Sequence, residues 1–168
     1  MDLIVLLGGR FTFNVFEGLP PSIMYTPTKE TELQLKALIR LAKKYPETKF
    51  LVMGGHNFFI KYDAEKVIET NFNFENMVKA QEYASEAEII SEIIERKGVN
   101  SLRILKEETS VTLEEKKEIL KVLFERSAFR EMKVIGIIVT DKFFHEDFNY
   151  FLKVFPDIIP FIAEDIVV

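Results

Sequence analysis

Two histidines, His56 and His145, stand just beyond short apolar runs in this sequence. An imidazole exchanges protons near neutral pH, so each is a candidate for acid–base work. Glu107 opens the polar stretch Glu107-Glu108-Thr109-Ser110-Val111-Thr112. There a carboxylate can act as a general base or orient a hydroxyl. We take His145 and Glu107 as the candidate catalytic pair. Ser110 reads as a hydrogen-bonding residue and not a nucleophile, because no tight strand-to-helix elbow surrounds it. Thr112 is a candidate contact too, although Thr112-x-x-Glu115 also spells a helix capping box. Asp141 reads as the N-cap of a helix whose positive end would face a ligand. Thr140 precedes it at the end of an apolar run. His56 and His145 with Asp141 or Glu107 would make a two-histidine, one-carboxylate metal cluster. No local ligand spacing supports it, so no metal is expected.

Two glycine pairs complete the candidate ligand-binding set. Gly8-Gly9 is followed by Arg10, and Gly54-Gly55 by His56. Glycine lets the backbone turn sharply and lets a ligand approach main-chain N–H groups. Neither pair completes G-x-G-x-x-G, and no G-x-x-x-x-G-K-[ST] loop occurs, so ordinary dinucleotide and ATP motifs are not present.

Strands and helices must bring these residues together. Leu3 to Leu7, Phe50 to Met53, Leu102 to Leu105 and Val134 to Val139 are short apolar runs that read as buried strands. Helical spacing covers 29–45, stopped by Pro46. It recurs over about 75–97, with Gly98 at the C-cap position, and over 113–126 and 142–155. Ile158 to Ile162 reads as a last strand, and Pro160 places it at a sheet edge. This alternation predicts a three-layer, Rossmann-like α/β fold: a doubly wound, mostly parallel sheet of about five strands with helices on both faces. Ligands in such folds bind beyond the carboxyl ends of the strands, where the candidate residues fall.

The connections 10–28 and 56–74 are longer than the roughly 2–6 residues such turns need. Both leave from the carboxyl edge and carry many aromatics, including Phe11, Phe13, Phe16 and Tyr25 in one and Phe58, Phe59, Tyr62, Phe72 and Phe74 in the other. They read as lids over a small-molecule site, or as loops that pack on each other or on a second copy of the chain.

Composition narrows the functional classes. With 168 residues the chain reads as one domain over 1–168. Hydrophobic residues make up 48% and charged ones 29%, the mix of a folded soluble protein. A net charge of −5 without a basic block argues against nucleic acid as a partner. The absence of cysteine excludes disulfides, thiolate zinc sites and cysteine nucleophiles. Met1-Asp2 leads straight into apolar residues without a basic start, and no apolar run approaches bilayer length. A cytoplasmic protein with no membrane partner is expected. Abundant Lys and Glu hint at a heat-adapted source.

The order of short motifs is similar to that of the YdcF/SanA-like family, catalogued as a domain of unknown function. The motifs are Gly8-Gly9, Gly54-Gly55-His56, Ser85-Glu86-Ala87, Gly98-Val99, Glu107-x-x-Ser110-x-Thr112-x-Glu114, then Val139-Thr140 with His145. The resemblance runs from Asp2 to about Phe155. It implies a Rossmann-like sheet whose motif residues meet in one crevice, and no agreed reaction. Val111 and Glu115 stand near places where members carry Asn, and Phe148 stands where they tend to carry Arg. Loss of that Arg argues against a strong anion clamp there, with Arg10 a partial substitute. Three functions stay open, with the cofactor unknown. One is an enzyme acting on a small phosphorylated or nucleotide-like molecule. Another is a non-catalytic binder of a nucleoside-containing ligand such as S-adenosylmethionine. The third is an interaction scaffold, with a homo-oligomer among its forms.

Overall fold

Asp2 begins the fold by tying two strands together: its carboxylate accepts the Lys133 and Val134 N–H groups at 2.9 and 2.8 Å. A computed structural model gives the architecture and describes residues 1–16, 22–56, 59–62, 66–69 and 84–168. The main sheet has five parallel strands. They are β1 (Leu3–Leu6), β4 (Lys49–Met53), β7 (Ile104–Glu107), β8 (Ile135–Val139) and β9 (Ile159–Ile162), in the spatial order β7-β4-β1-β8-β9. The chain builds outward from β1 to β7, then crosses back to the other side of β1. That reversal puts the topological switch point between β1 and β8.

Side chains of β1 alternate between two cores, as a doubly covered strand requires. Ile4 and Leu6 pack with α1 (Lys29–Lys44), α2 (Glu86–Arg96) and α7 (Ala163–Val167). Leu3 and Val5 pack with α3 (Leu113–Glu125), the short α4 (Ser127–Arg130), α5 (Asp141–Glu146) and α6 (Phe148–Leu152). The fold is therefore the expected α/β sheet with helices on both faces. Pro160 sits in β9, which is an edge strand as read.

Several boundaries differ from expectation. Leu102 is not in a strand: Ser101–Arg103 is a single 3-10 turn, and β7 starts at Ile104. Arg103 explains the turn, because its guanidinium reaches the carbonyls of Ala42 in the last turn of α1 and of Tyr45 and Thr48 beyond it. The helix expected over 142–155 is split at Asp147 into α5 and α6. The helix expected over about 75–97 is described from Glu86, and its earlier part up to 83 lies outside the described residues.

Where the structure describes them, the two long connections are not irregular. They contain β2 (Phe11–Phe16), β3 (Ser22–Pro27), β5 (Phe59–Tyr62) and β6 (Lys66–Glu69), which form a second sheet in the order β3-β2-β5-β6. Two antiparallel pairs join through the parallel pair β2 and β5, so the extensions do pack on each other. Strand pairing satisfies backbone groups that a long bare loop would leave to solvent. The aromatic side chains from Phe13 to Phe16 and from Phe58 to Phe74 lie outside the described residues.

Candidate functional site

Close neighbours, backbone as well as side chain, crowd both glycine pairs at the carboxyl edge. Gly8 has φ +99°, and a Cβ there would stand 2.5 Å from the Met53 carbonyl oxygen, 2.9 Å from Lys116 Nζ and 3.1 Å from Glu86 Oε2. Gly54 has φ +153°, and its Cβ would come within 2.8 Å of Glu86 Oε2. A Cβ on Gly9 would run into Thr31. Thr31 is buried in the first turn of α1 and accepts the Arg10 N–H at 2.7 Å. The space beside Gly8, Gly9 and Gly54 is thus filled mainly by Glu86, Lys116 and Thr31, while a Cβ on Gly55 would meet the Thr109 and Glu108 backbone at 3.1 and 3.2 Å.

Glu86 opens α2 and is only 5% exposed. Its backbone N–H donates to Gly55 O, and Ala87 N–H to Gly54 O, so the helix start is pinned to the end of β4. Ser85 caps the helix and donates to Glu108 Oε1 at 2.8 Å. Burial pushes the Glu86 carboxyl up to about 7, against the opposing pull of Lys116, Arg10 and the Gly9 N–H. Burial also pulls the Lys116 amine below its ordinary value, with Glu86 and Glu107 opposing and Arg10 adding to the fall. An acid and an amine with opposed shifts in one cleft mark a candidate site.

That cleft is a cavity of about 500 Å³ at the switch point. Gly8, Gly9 and Arg10 line it from the turn after β1, Glu30 and Thr31 from α1, Glu86 from α2, Lys116 from α3, and Val139 from β8. Its size lies within the roughly 300–1,000 Å³ of small-molecule sites.

The remaining expected residues take other places. Glu107 is consumed by its own loop. One carboxylate oxygen accepts Thr109 N–H at 2.7 Å, Thr109 Oγ1 at 2.6 Å and Ser110 N–H at 2.9 Å, and the other accepts the Ser110 hydroxyl. Burial raises its pKa, but these hydrogen bonds outweigh it and hold the carboxyl below its ordinary value. Ser110 is fully buried, and its carbonyl accepts the Gly55 N–H at 2.7 Å. Neither residue lines the cavity. Thr112 caps α3 by accepting Glu115 N–H, while Glu115 Oε2 accepts Val111 N–H, so the capping box forms one residue wide of its usual return bond. Thr140, not Asp141, caps α5, accepting Phe143 N–H at 3.3 Å. It also donates to Glu30 Oε1 at 3.3 Å, closing the β8 side of the cavity. Asp141 is exposed and pairs with exposed His145 at 3.3 Å, and neither lines the cavity. His56 is half-buried beyond Gly55 and does not line it either. Among the described residues no group of three or more His, Asp or Glu could hold a metal ion, and no helix is long and apolar enough to cross a membrane.

Sequence reasoning missed Glu86, Lys116, Glu30 and Thr31 as site residues. Glu86 lies inside the Ser85-Glu86-Ala87 stretch, yet by itself it reads as an ordinary acid in a first helical turn. The glycines were the usable signal, because a glycine pair directly after a buried strand marks a place where other groups can approach the backbone closely.

The fold and cavity define a Rossmann-like α/β protein with a charged pocket at its switch point. No family model matches the chain, and no curated protein does. Among solved structures it is similar to a point mutant of phosphofructokinase-2 from Escherichia coli, with 9% identity over 84% of this chain and 54% of that one, at a TM-score of 0.25. The chain thus spans about half the length of that protein. A likeness at that level carries no argument about function.

Proposed function

We propose that this protein binds a small phosphorylated or nucleotide-like molecule in the cavity between the ends of β1 and β8. The observation that carries the reading is the meeting of Lys116, Glu86 and the Gly8-Gly9-Arg10 turn in one cavity. Lys116 and Arg10 supply positive charge for an anionic group, and Glu86 supplies a group that exchanges protons near neutrality. This moves the proton-transfer role from the His145–Glu107 pair to Glu86. The motif stretches at Gly8, Gly54, Ser85 and Glu107 adjoin one another here, which supports kinship with the YdcF/SanA-like family.

Mass spectrometry of the denatured protein should reveal a co-purifying molecule bearing a phosphate or nucleoside. Adenosine monophosphate, added as a probe, should bind the wild type, and Lys116→Met should weaken that binding at least tenfold. A co-purifying ligand with no anionic group, or equal binding by Lys116→Met, would overturn the reading.

A further inference from the structure

We propose that the cavity selects a phosphate that still carries an ionisable hydroxyl, free or as a monoester, with Lys116 meeting a phosphate oxygen and Glu86 accepting the P–OH hydrogen. This deepens the function proposed above and rests on it. The argument begins with geometry. Lys116 Nζ and Glu86 Oε2 converge on one point beside Gly8, at 2.9 and 3.1 Å from where its Cβ would be. Both side chains also line the cavity. A donor and an acceptor therefore stand side by side in the wall. A fully ionised anion has only acceptors. Against Lys116 it gains a charge-assisted hydrogen bond, but against the Glu86 carboxylate it meets like charge and no donor. A hydrogen phosphate presents both kinds of group and satisfies both residues.

Burial makes the distinction matter. Glu86 is 5% exposed, so water cannot screen a mismatched pair of acceptors. The surrounding charges do not remove the mismatch. Arg10 approaches after β1, Lys29 and Glu30 line the cavity from α1, and Glu107 and Glu115 act on Lys116 from behind. The complex then holds one proton between phosphate and carboxylate. Above neutral pH inorganic phosphate still carries that proton on its remaining P–OH, whereas a monoester dianion and the Glu86 carboxylate both lack it, so only monoester binding draws a proton from solution. Monoester affinity should fall roughly tenfold per pH unit in that range.

Calorimetric titration with inorganic phosphate, phenyl phosphate and sulfate, between pH 6 and 9, tests this. The wild type should prefer inorganic phosphate to sulfate at least tenfold at pH 8, where Glu86 is ionised, and lose phenyl phosphate affinity as pH rises. Glu86→Gln, which offers an N–H where the carboxylate stood, should bind sulfate as well as phosphate. Tighter phenyl phosphate identifies a monoester as the occupant, and tighter inorganic phosphate identifies the free ion. If Glu86→Gln does not fold, the wild-type preference and its pH slope decide alone. Equal affinity of the wild type for sulfate and inorganic phosphate at pH 8, without a pH slope for phenyl phosphate, overturns the selection while leaving an anion site standing. Failure of the wild type to bind any oxyanion at any pH overturns both this inference and the function it rests on.

Discussion

Glu86 has a cost that pH can reveal. Its folded pKa is raised from an ordinary 4.5 to about 7, so the folded state holds a proton that the unfolded chain has already released. Stability must fall as pH rises through that interval and stay lower above it. The interval corresponds to about 3 kcal/mol. The carboxyls of Asp2, Glu107 and Glu114 are shifted the other way, and their contribution is lost only as pH falls below their ordinary values. The two effects therefore occupy different windows. Denaturant unfolding of the wild type should show stability falling from pH 5 to pH 7.5, and Glu86→Gln should flatten that slope. An unchanged slope would place the titration elsewhere. The glycines give a matched pair at the same scale. Gly8 and Gly98 share φ +99°, but a Cβ at Gly98 meets nothing within 4 Å. Gly98→Ala should cost about 1–2 kcal/mol from backbone handedness alone. Gly8→Ala carries that cost plus the displacement of Glu86 and Lys116, so it should melt clearly lower.

At the scale of elements, the strands that read well are those buried on both faces. β1, β4 and β8 are near-continuous apolar runs, and no other element suits such a run of that length. The second sheet was legible in part. Phe11-Thr12-Phe13-Asn14-Val15 alternates at the period of a strand, but the length of 10–28 argues for a loop, and only strand pairing settles the contest. The cap of α5 was open for another reason. Thr140 and Asp141 are both good capping residues, and only the extended backbone at Thr140 (φ −86°, ψ 162°) decides between them. The loop after β7 changes a mutational expectation. On sequence grounds Glu107→Ala weakens binding and spares the fold. With Glu107 holding Thr109 and buried Ser110, the substitution should instead cost about 1–3 kcal/mol of stability by leaving those donors unpaired. His145→Ala removes only an exposed pair and should stay within about 0.5 kcal/mol of the wild type. Thermal melting of the two variants side by side checks the contrast, and equal melting would return Glu107 to the ligand.

For the molecule as a whole, the site exists only when distant parts of the chain are in place. Its wall runs from Leu7 to Phe143 and draws on the turn after β1 and on α1, α2, α3, β8 and α5. This is why the position of the site was legible while its charged pair was not. Strand order dictates a crevice at the switch point, whereas Glu86 and Lys116 meet only because α2 and α3 start on opposite faces of the sheet beside β1. The same construction couples ligand binding to global stability. A ligand held by so many elements binds the native state and not the unfolded chain. Occupancy at 100 times the dissociation constant then adds about 2.7 kcal/mol. For a protein of this size each kcal/mol moves the melting point by about 2–4 °C, which gives a rise of roughly 5–11 °C. With phenyl phosphate as the added ligand the rise should be largest near pH 6.5 and shrink toward pH 9. It should be no more than about half as large in Lys116→Met, whose own melting point in buffer controls for any loss of packing. A rise of equal size in wild type and Lys116→Met would mean that phosphate stabilises the protein from some other surface, and would remove the cavity from the account.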